Sequence, residues 1–210
     1  MSGGCRAQRD WGRDPVTHSP QYVTHMSDTG TYEDFRRFHR HPGRFRQAAA
    51  PEYFNGGVPV VSFPFYIDDV DPEARYLHWE FVDPDSIPVC GFEWIHWSVA
   101  NLPIDALMYD FNDSHALAIP PDFSRQLPAM IPETVQGRNS SASKFLGRSA
   151  DPAVIMRYNG PQPPDKDHEY YLQVWATKKP LPGLNQASGS TSCCTRCATA
   201  VKCPTPTASS

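Results

Sequence analysis

The chain predicts a compact, mostly β fold with a few short helices. Three observations carry that expectation. The 22 prolines among 210 residues fall between apolar runs instead of forming one tract. Those runs are rich in β-branched and aromatic residues, which suit a pleated, half-buried surface. Proline-punctuated apolar runs of this length favour a loop-rich β architecture over a helical bundle.

The first 50 residues show no apolar periodicity and are rich in Arg, His, Gly, Ser and Thr. Residues 1–50 therefore read as a poorly ordered leader, within which residues 32–41 have the composition of a short basic helix. A single domain is expected over 51–184, long enough to bury a sizeable core. From Val58 to Ile67 the chain is β-prone, residues 68–72 form an acidic turn ending in proline, and Arg75 to Val82 alternates as a second strand. His78 lies inside that strand and reads as structural or exposed.

Asp83-Pro84-Asp85 follows. Proline fixes its own φ and pushes the preceding residue out of the helical region, so the triplet extends or turns. In an extended chain residues two apart point the same way, so both carboxylates could face one cavity. Asp and Pro also initiate turns, and a turn is the plainer reading. Next come a Cys90-Gly91 step and the run Trp94 to Ala100, expected as a strand with Trp94, His96 and Ser98 on one face and Ile95, Trp97 and Val99 on the other. Leu102-Pro103 ends it, and the region to Pro132 reads as irregular. Residues 140–148 read as a long loop. Gly160-Pro161-Gln162-Pro163-Pro164 makes a rigid loop that delivers Asp165 to His168 to a last strand, Tyr170 to Trp175.

Several classes are set aside. A net charge of −4 and a pI near 6.0 leave no electrostatic footprint for nucleic acid. No apolar run approaches the roughly 18 residues of a membrane span, and no apolar signal core opens the chain, so a cytoplasmic location is expected. Phosphate-cradling glycine loops and a Gly-x-Ser-x-Gly elbow are absent. Cys90 alone among the six cysteines lies in the expected domain, as a buried free thiol. Cys194-x-x-Cys197 has zinc spacing but lacks a second ligand pair, since Cys203 adds only one donor.

Taken together, Asp83-Pro84-Asp85, the Trp94-Ile95-His96-Trp97 strand, Gln136-Gly137-Arg138-Asn139 and the Gly160–Pro164 loop followed by His168 and Tyr170 resemble the phosphatidylethanolamine-binding protein family. They are most similar to its bacterial, Raf-kinase-inhibitor-like branch. The resemblance spans Pro59 to Leu181. It implies a β-sandwich with a small anion-binding cavity, formed by Asp83, Asp85, His96, His168 and Tyr170 with Pro163 and Pro164 as the loop wall. Many members follow the second histidine with arginine, where this chain has Glu169.

The resemblance implies a binding module for small phosphate-bearing or other anionic ligands, phosphoethanolamine-like head groups among them. No cofactor, metal or catalytic residue is expected, and the chain is not expected to be an enzyme. A protein-interaction role, inhibiting a kinase or a protease, is the alternative.

Residues 185–210 are Ser-, Thr- and Cys-rich and depart from the family. Read one base earlier with suitable wobble bases, Asn185 onward becomes Glu-Pro-Gly-Phe-Trp-Leu-Asn-Glu-Leu-Leu-His-Ala-Leu-Arg-Asp. That peptide has the spacing of an amphipathic helix and resembles the family's C-terminal helix. A shifted reading frame near Leu184 is the expectation, with a weaker parallel at Tyr32. As written, the chain is expected to lack the family's C-terminal helix and final strand.

Overall fold

The computed structural model describes residues 22–27, 45–68, 70–110, 113–144 and 151–184. Strands dominate, with three short α-helices among the described residues. The large sheet is antiparallel in the order β1-β10-β5-β6-β9 (Tyr22–Ser27, Glu169–Thr177, Tyr76–Asp83, Trp94–Pro103 and Val135–Gln136). A second sheet runs β4-β8-β7 (Phe65–Ile67, Asp113–Ile119 and Met108–Asp110), and Phe54–Asn55 (β2) pairs with Val58–Pro59 (β3) in a small ribbon. The helices are α1 (Ile87–Cys90), α2 (Phe123–Met130) and α3 (Pro152–Ile155).

Alternation places the core. On β5, Leu77, Trp79 and Phe81 enter the main cluster, joined by Trp97 and Val99 from β6 and by Leu172 and Val174 from β10. The three-stranded sheet answers with Phe65, Ile67, Leu117 and Ile119. Edge-on aromatic pairs join the two sheets: Phe65 meets Trp79 at 5.5 Å and Trp97 at 6.4 Å between ring centroids. Such pairs add about 0.5–1.5 kcal/mol each beyond the area they bury.

The region expected to be irregular, 102–132, contains β7, β8 and α2. Pro128 lies inside α2 and reads as a helix breaker. Its missing N–H would have served the Ser124 carbonyl, which instead accepts from Gln136 Nε2 at 2.8 Å. The Gln136 side-chain oxygen in turn accepts from Trp97 Nε1 and from the Ser124 hydroxyl, both at 2.8 Å. A glutamine from β9 thus completes a helix turn and anchors β6 at once.

Within the stretch expected as a leader, β1 pairs along β10, with Tyr22 opposite Val174 and Ser27 opposite Glu169. The basic segment 32–41 and the tail 185–210, on which the reading-frame expectation rests, lie outside the described residues.

Candidate functional site

The Asp83 end of β5, the start of β6, the loop before β10 and helix α1 enclose a half-open cavity of about 50 Å³. About 10–15 Å³ of such volume accommodates one water, so the space fits a small polar group.

Asp83 keeps an extended backbone (φ −126°, ψ 95°), and Pro84–Ser86 closes a single 3-10 turn behind it. Asp83 Oδ1 caps that turn by accepting from Ser86 N at 3.0 Å. The Ser86 hydroxyl accepts from Trp94 N at 2.8 Å and points its hydrogen at the Asp83 and Phe92 carbonyls, 2.6 and 2.9 Å away. One serine therefore ties the end of β5 to the start of β6. Gly91, at φ 89°, supplies the left-handed residue that ends α1.

Because the chain turns at Pro84, Asp83 and Asp85 do not share a face. Asp83 lines the cavity, whereas Asp85 Oδ2 accepts from Glu169 N at 3.1 Å and is outside the lining. Pro163, Pro164, His96 and His168 all line it. Tyr170 is fully buried behind them, its ring 5.5 Å from His96 and 6.4 Å from His168.

The two histidines are held very differently. His168 Nδ1 lies 2.7 Å from Asp83 Oδ2 and its Nε2 lies 2.9 Å from Asp165 Oδ1. Burial lowers the affinity of this ring for a proton, but hydrogen bonds to the two carboxylates and their charges outweigh it and raise the pKa above 6.5. The hydrogen bond to His168 likewise holds Asp165 below the usual carboxylate value. For Asp83, burial pushes the other way, against the His168 contact. Either way the Asp83–His168 pair keeps one proton, and we place it on His168, whose two nitrogens both face carboxylate oxygens.

His96 is neutral. Burial pushes its pKa down to about 3, and the His168 charge adds to that against the hydrogen bond to Asn159. Its Nδ1 is 2.6 Å from the Asn159 carbonyl, and Asn159 N donates back to the His96 carbonyl at 2.9 Å. Asn159 is also bonded through its side chain to the Ser141 hydroxyl. The loop is pinned further on: Gly160 N donates to Pro59 O at 2.8 Å, and Gln162 Nε2 donates to Gly57 O at 3.0 Å.

Ser86, Val89, Cys90, Trp94, Asn159, Gly160 and Gln162 also line the cavity, and sequence reasoning did not assign them to it. Gly160 and Gln162 belong to the Gly160–Pro164 loop motif. The backbone role of Asn159 has no signature in its residue type. Gln136 and Asn139, also quoted as motif, face inward as structure: Asn139 Nδ2 donates to the Val154 and Arg157 carbonyls at 2.6 and 2.7 Å. Among the described residues no group of three His, Cys, Asp or Glu side chains could hold a metal ion. No described helix is long and apolar enough to cross a membrane.

An antiparallel sheet whose strand ends hold a small polar cavity against a proline-rich loop defines a β-rich ligand-binding protein. The chain belongs to the phosphatidylethanolamine-binding protein family, whose sequence model matches residues 40–195. It is similar to the uncharacterized protein YxkA of Bacillus subtilis (strain 168), with 41% identity over 133 residues, covering 63% of this chain and 71% of that protein.

Proposed function

We propose that the cavity binds small phosphate-bearing or other anionic ligands, with phosphoethanolamine-like head groups as the fitting class. One observation carries this reading: His168, in the cavity wall, has both ring nitrogens against the Asp83 and Asp165 carboxylates, which favour its protonated form. The imidazolium attracts an anion in this poorly solvated site, but its two carboxylates outweigh it in charge, so the fitting ligand also brings an ammonium or a proton. Asp165, 48% exposed on its side chain, stands where a ligand ammonium could meet a carboxylate. Titration calorimetry with phosphoethanolamine tests the reading. His96→Ala and His168→Ala should each abolish the binding heat, and unchanged affinity in both would remove the cavity as the site.

The same reading makes the chain a cytoplasmic binding module and not an enzyme, with no cofactor. Its support is chemical. The Ser86 hydroxyl and the Cys90 thiol, both in the lining, turn their hydrogens toward backbone carbonyls, which are not bases. Turnover of a phosphoester that Asp83→Asn abolishes would overturn it.

A second reading, inhibition of a kinase or protease in the Raf-kinase-inhibitor-like manner, draws support from α1. It leaves Ile87 and Val89 50% and 45% exposed, and Val89 is part of the cavity lining. A stoichiometric protein partner that Ile87→Asp displaces and saturating phosphate does not would favour it. For the reading frame, we propose a shift near Leu184. Coding DNA resequenced across Leu184 and Tyr32 tests it, and unaltered codons would end the idea.

A further inference from the structure

His96 has its tautomer fixed by one bond. A carbonyl oxygen can only accept, so the 2.6 Å contact with Asn159 O requires the hydrogen on Nδ1. A neutral imidazole carries one N–H, and Nε2 is therefore a bare lone pair. That atom is buried and has no hydrogen-bond partner among the described residues, on a side chain that lines the cavity. A buried acceptor of this kind is incomplete until something donates to it.

A fully deprotonated oxyanion cannot do so, because it offers only lone pairs. An oxyanion that retains one hydrogen can. We propose that the cavity takes its oxyanion in the singly protonated form, with the ligand O–H donating to His96 Nε2 and the remaining negative charge stabilised by His168. This rests on the anion reading above and narrows it to ligands that bring a proton, such as an acid phosphate. The His168 nitrogens are both engaged by carboxylates, so that residue supplies charge and His96 supplies the discriminating hydrogen bond.

Other titratable groups surround His96. Tyr170 approaches from β10, His168 and Asp165 from the loop before it, Asp83 from the end of β5 and Cys90 from the end of α1, with Asp85 beside Asp83. The pH dependence of phosphate binding alone would mix their protons with the ligand's. Sulfate separates them, since it has the same tetrahedral shape, carries two charges and holds no proton near neutrality. Its pH dependence reports the protein's own groups.

Titration calorimetry of the full chain with inorganic phosphate and with sulfate, on both sides of phosphate's second ionisation, decides the matter. The expected result is that phosphate binds more tightly than sulfate, and that the ratio of their affinities falls about tenfold per pH unit above that ionisation. In His96→Gln, whose amide can turn either its oxygen or its N–H to the ligand, the ratio should lose its slope while phosphate still binds. A ratio that stays constant with pH, or sulfate binding as tightly as phosphate below that ionisation, overturns the proposal and leaves the anion reading standing. A His96→Gln variant that keeps the full slope overturns it too, because the acceptor is then another group. Binding of neither anion overturns both.

Discussion

His168 Nδ1 and Asp83 Oδ2 meet at 2.7 Å across 85 residues of sequence, and both side chains are almost wholly buried. The contact joins the end of β5 to the residue just before β10, and the two strands are already paired from Tyr76–Thr177 to Val82–Tyr171. A register fixed by the hydrophobic core therefore sets the spacing of the site. The His168 ring cannot approach a ligand without breaking a bond to one of two carboxylates.

The pair makes stability fall as the solution becomes alkaline. His168 has its native pKa raised above 6.5 by Asp83 and Asp165 against the opposing effect of burial. Its contribution is fully present below the unfolded value of about 6.5 and is lost as the pH rises through the native one, because there the folded state binds the extra proton. Denaturant unfolding on the alkaline side of 6.5 should show this decline in the wild type. His168→Gln should flatten it, and a slope equal in both proteins would place the proton elsewhere.

Asp83 and Asp85 should separate cleanly under mutation. Asp83→Ala strands a buried imidazolium and removes the cap on Ser86 N, so a loss of about 3–5 kcal/mol is expected. Asp85→Ala removes one exposed acceptor for Glu169 N, worth about 0.5–1.5 kcal/mol. Urea midpoints of the two variants check the order. Equal losses would mean that the DPD triplet acts as one unit.

Gly160 is a close-approach glycine. A Cβ there would sit 2.5 Å from Phe45 O and 2.7 Å from Pro59 Cβ, against backbone and a proline ring that cannot swing aside. Gly160→Ala should cost about 1–3 kcal/mol and push the Pro163–Pro164 wall away from Pro59, with weaker phosphate binding. A variant with wild-type stability and affinity would show that the loop is looser than its two backbone bonds, Gly160 N to Pro59 O and Gln47 N to Pro161 O, require.

Much of this was legible in the chain because period-two alternation of apolar and polar side chains and proline punctuation are local signals. Leu77, Trp79 and Phe81 alternate in the sequence and in the core alike. The sheet carrying His96 and the loop carrying Pro163 and Pro164 could be read the same way. Helix α2 could not, since its broken hydrogen bond at Pro128 is repaired by Gln136 from a distant strand. Nor could the divergence of Asp83 from Asp85, which depends on whether the chain turns at Pro84 or one residue later. The unlike states of His96 and His168 were hidden for a related reason. They are set by a carbonyl in one case and by two carboxylates in the other, and residue type alone does not say which partner folding will supply.

The buried neutral histidines should make the protein sensitive to mild acid. His78 Nδ1 accepts from Asn101 N at 3.0 Å, so its Nε2–H donates to the Thr177 hydroxyl at 2.9 Å, which passes its own hydrogen to Lys179 O at 2.7 Å. Adding a proton to His78 would set N–H against N–H at Asn101, and burial holds its pKa near 3, as it does for His96. Both native values are depressed, so their stabilisation is present above about 6.5 and is lost as the pH falls toward 3, where the unfolded chain alone binds the protons. Between 6.5 and the carboxylate range the two residues together steepen the loss by up to about 2.7 kcal/mol per pH unit, or about 1.4 for each proton. His168 adds an opposing slope only near the top of this window, where its unfolded form alone titrates, and none further down, where both states are protonated. Urea unfolding of the wild type and of His78→Gln through this window measures the difference. The variant should lose about half the slope, because Gln can still accept from Asn101 and takes up no proton on unfolding; an unchanged slope would mean that His78 charges in the folded protein.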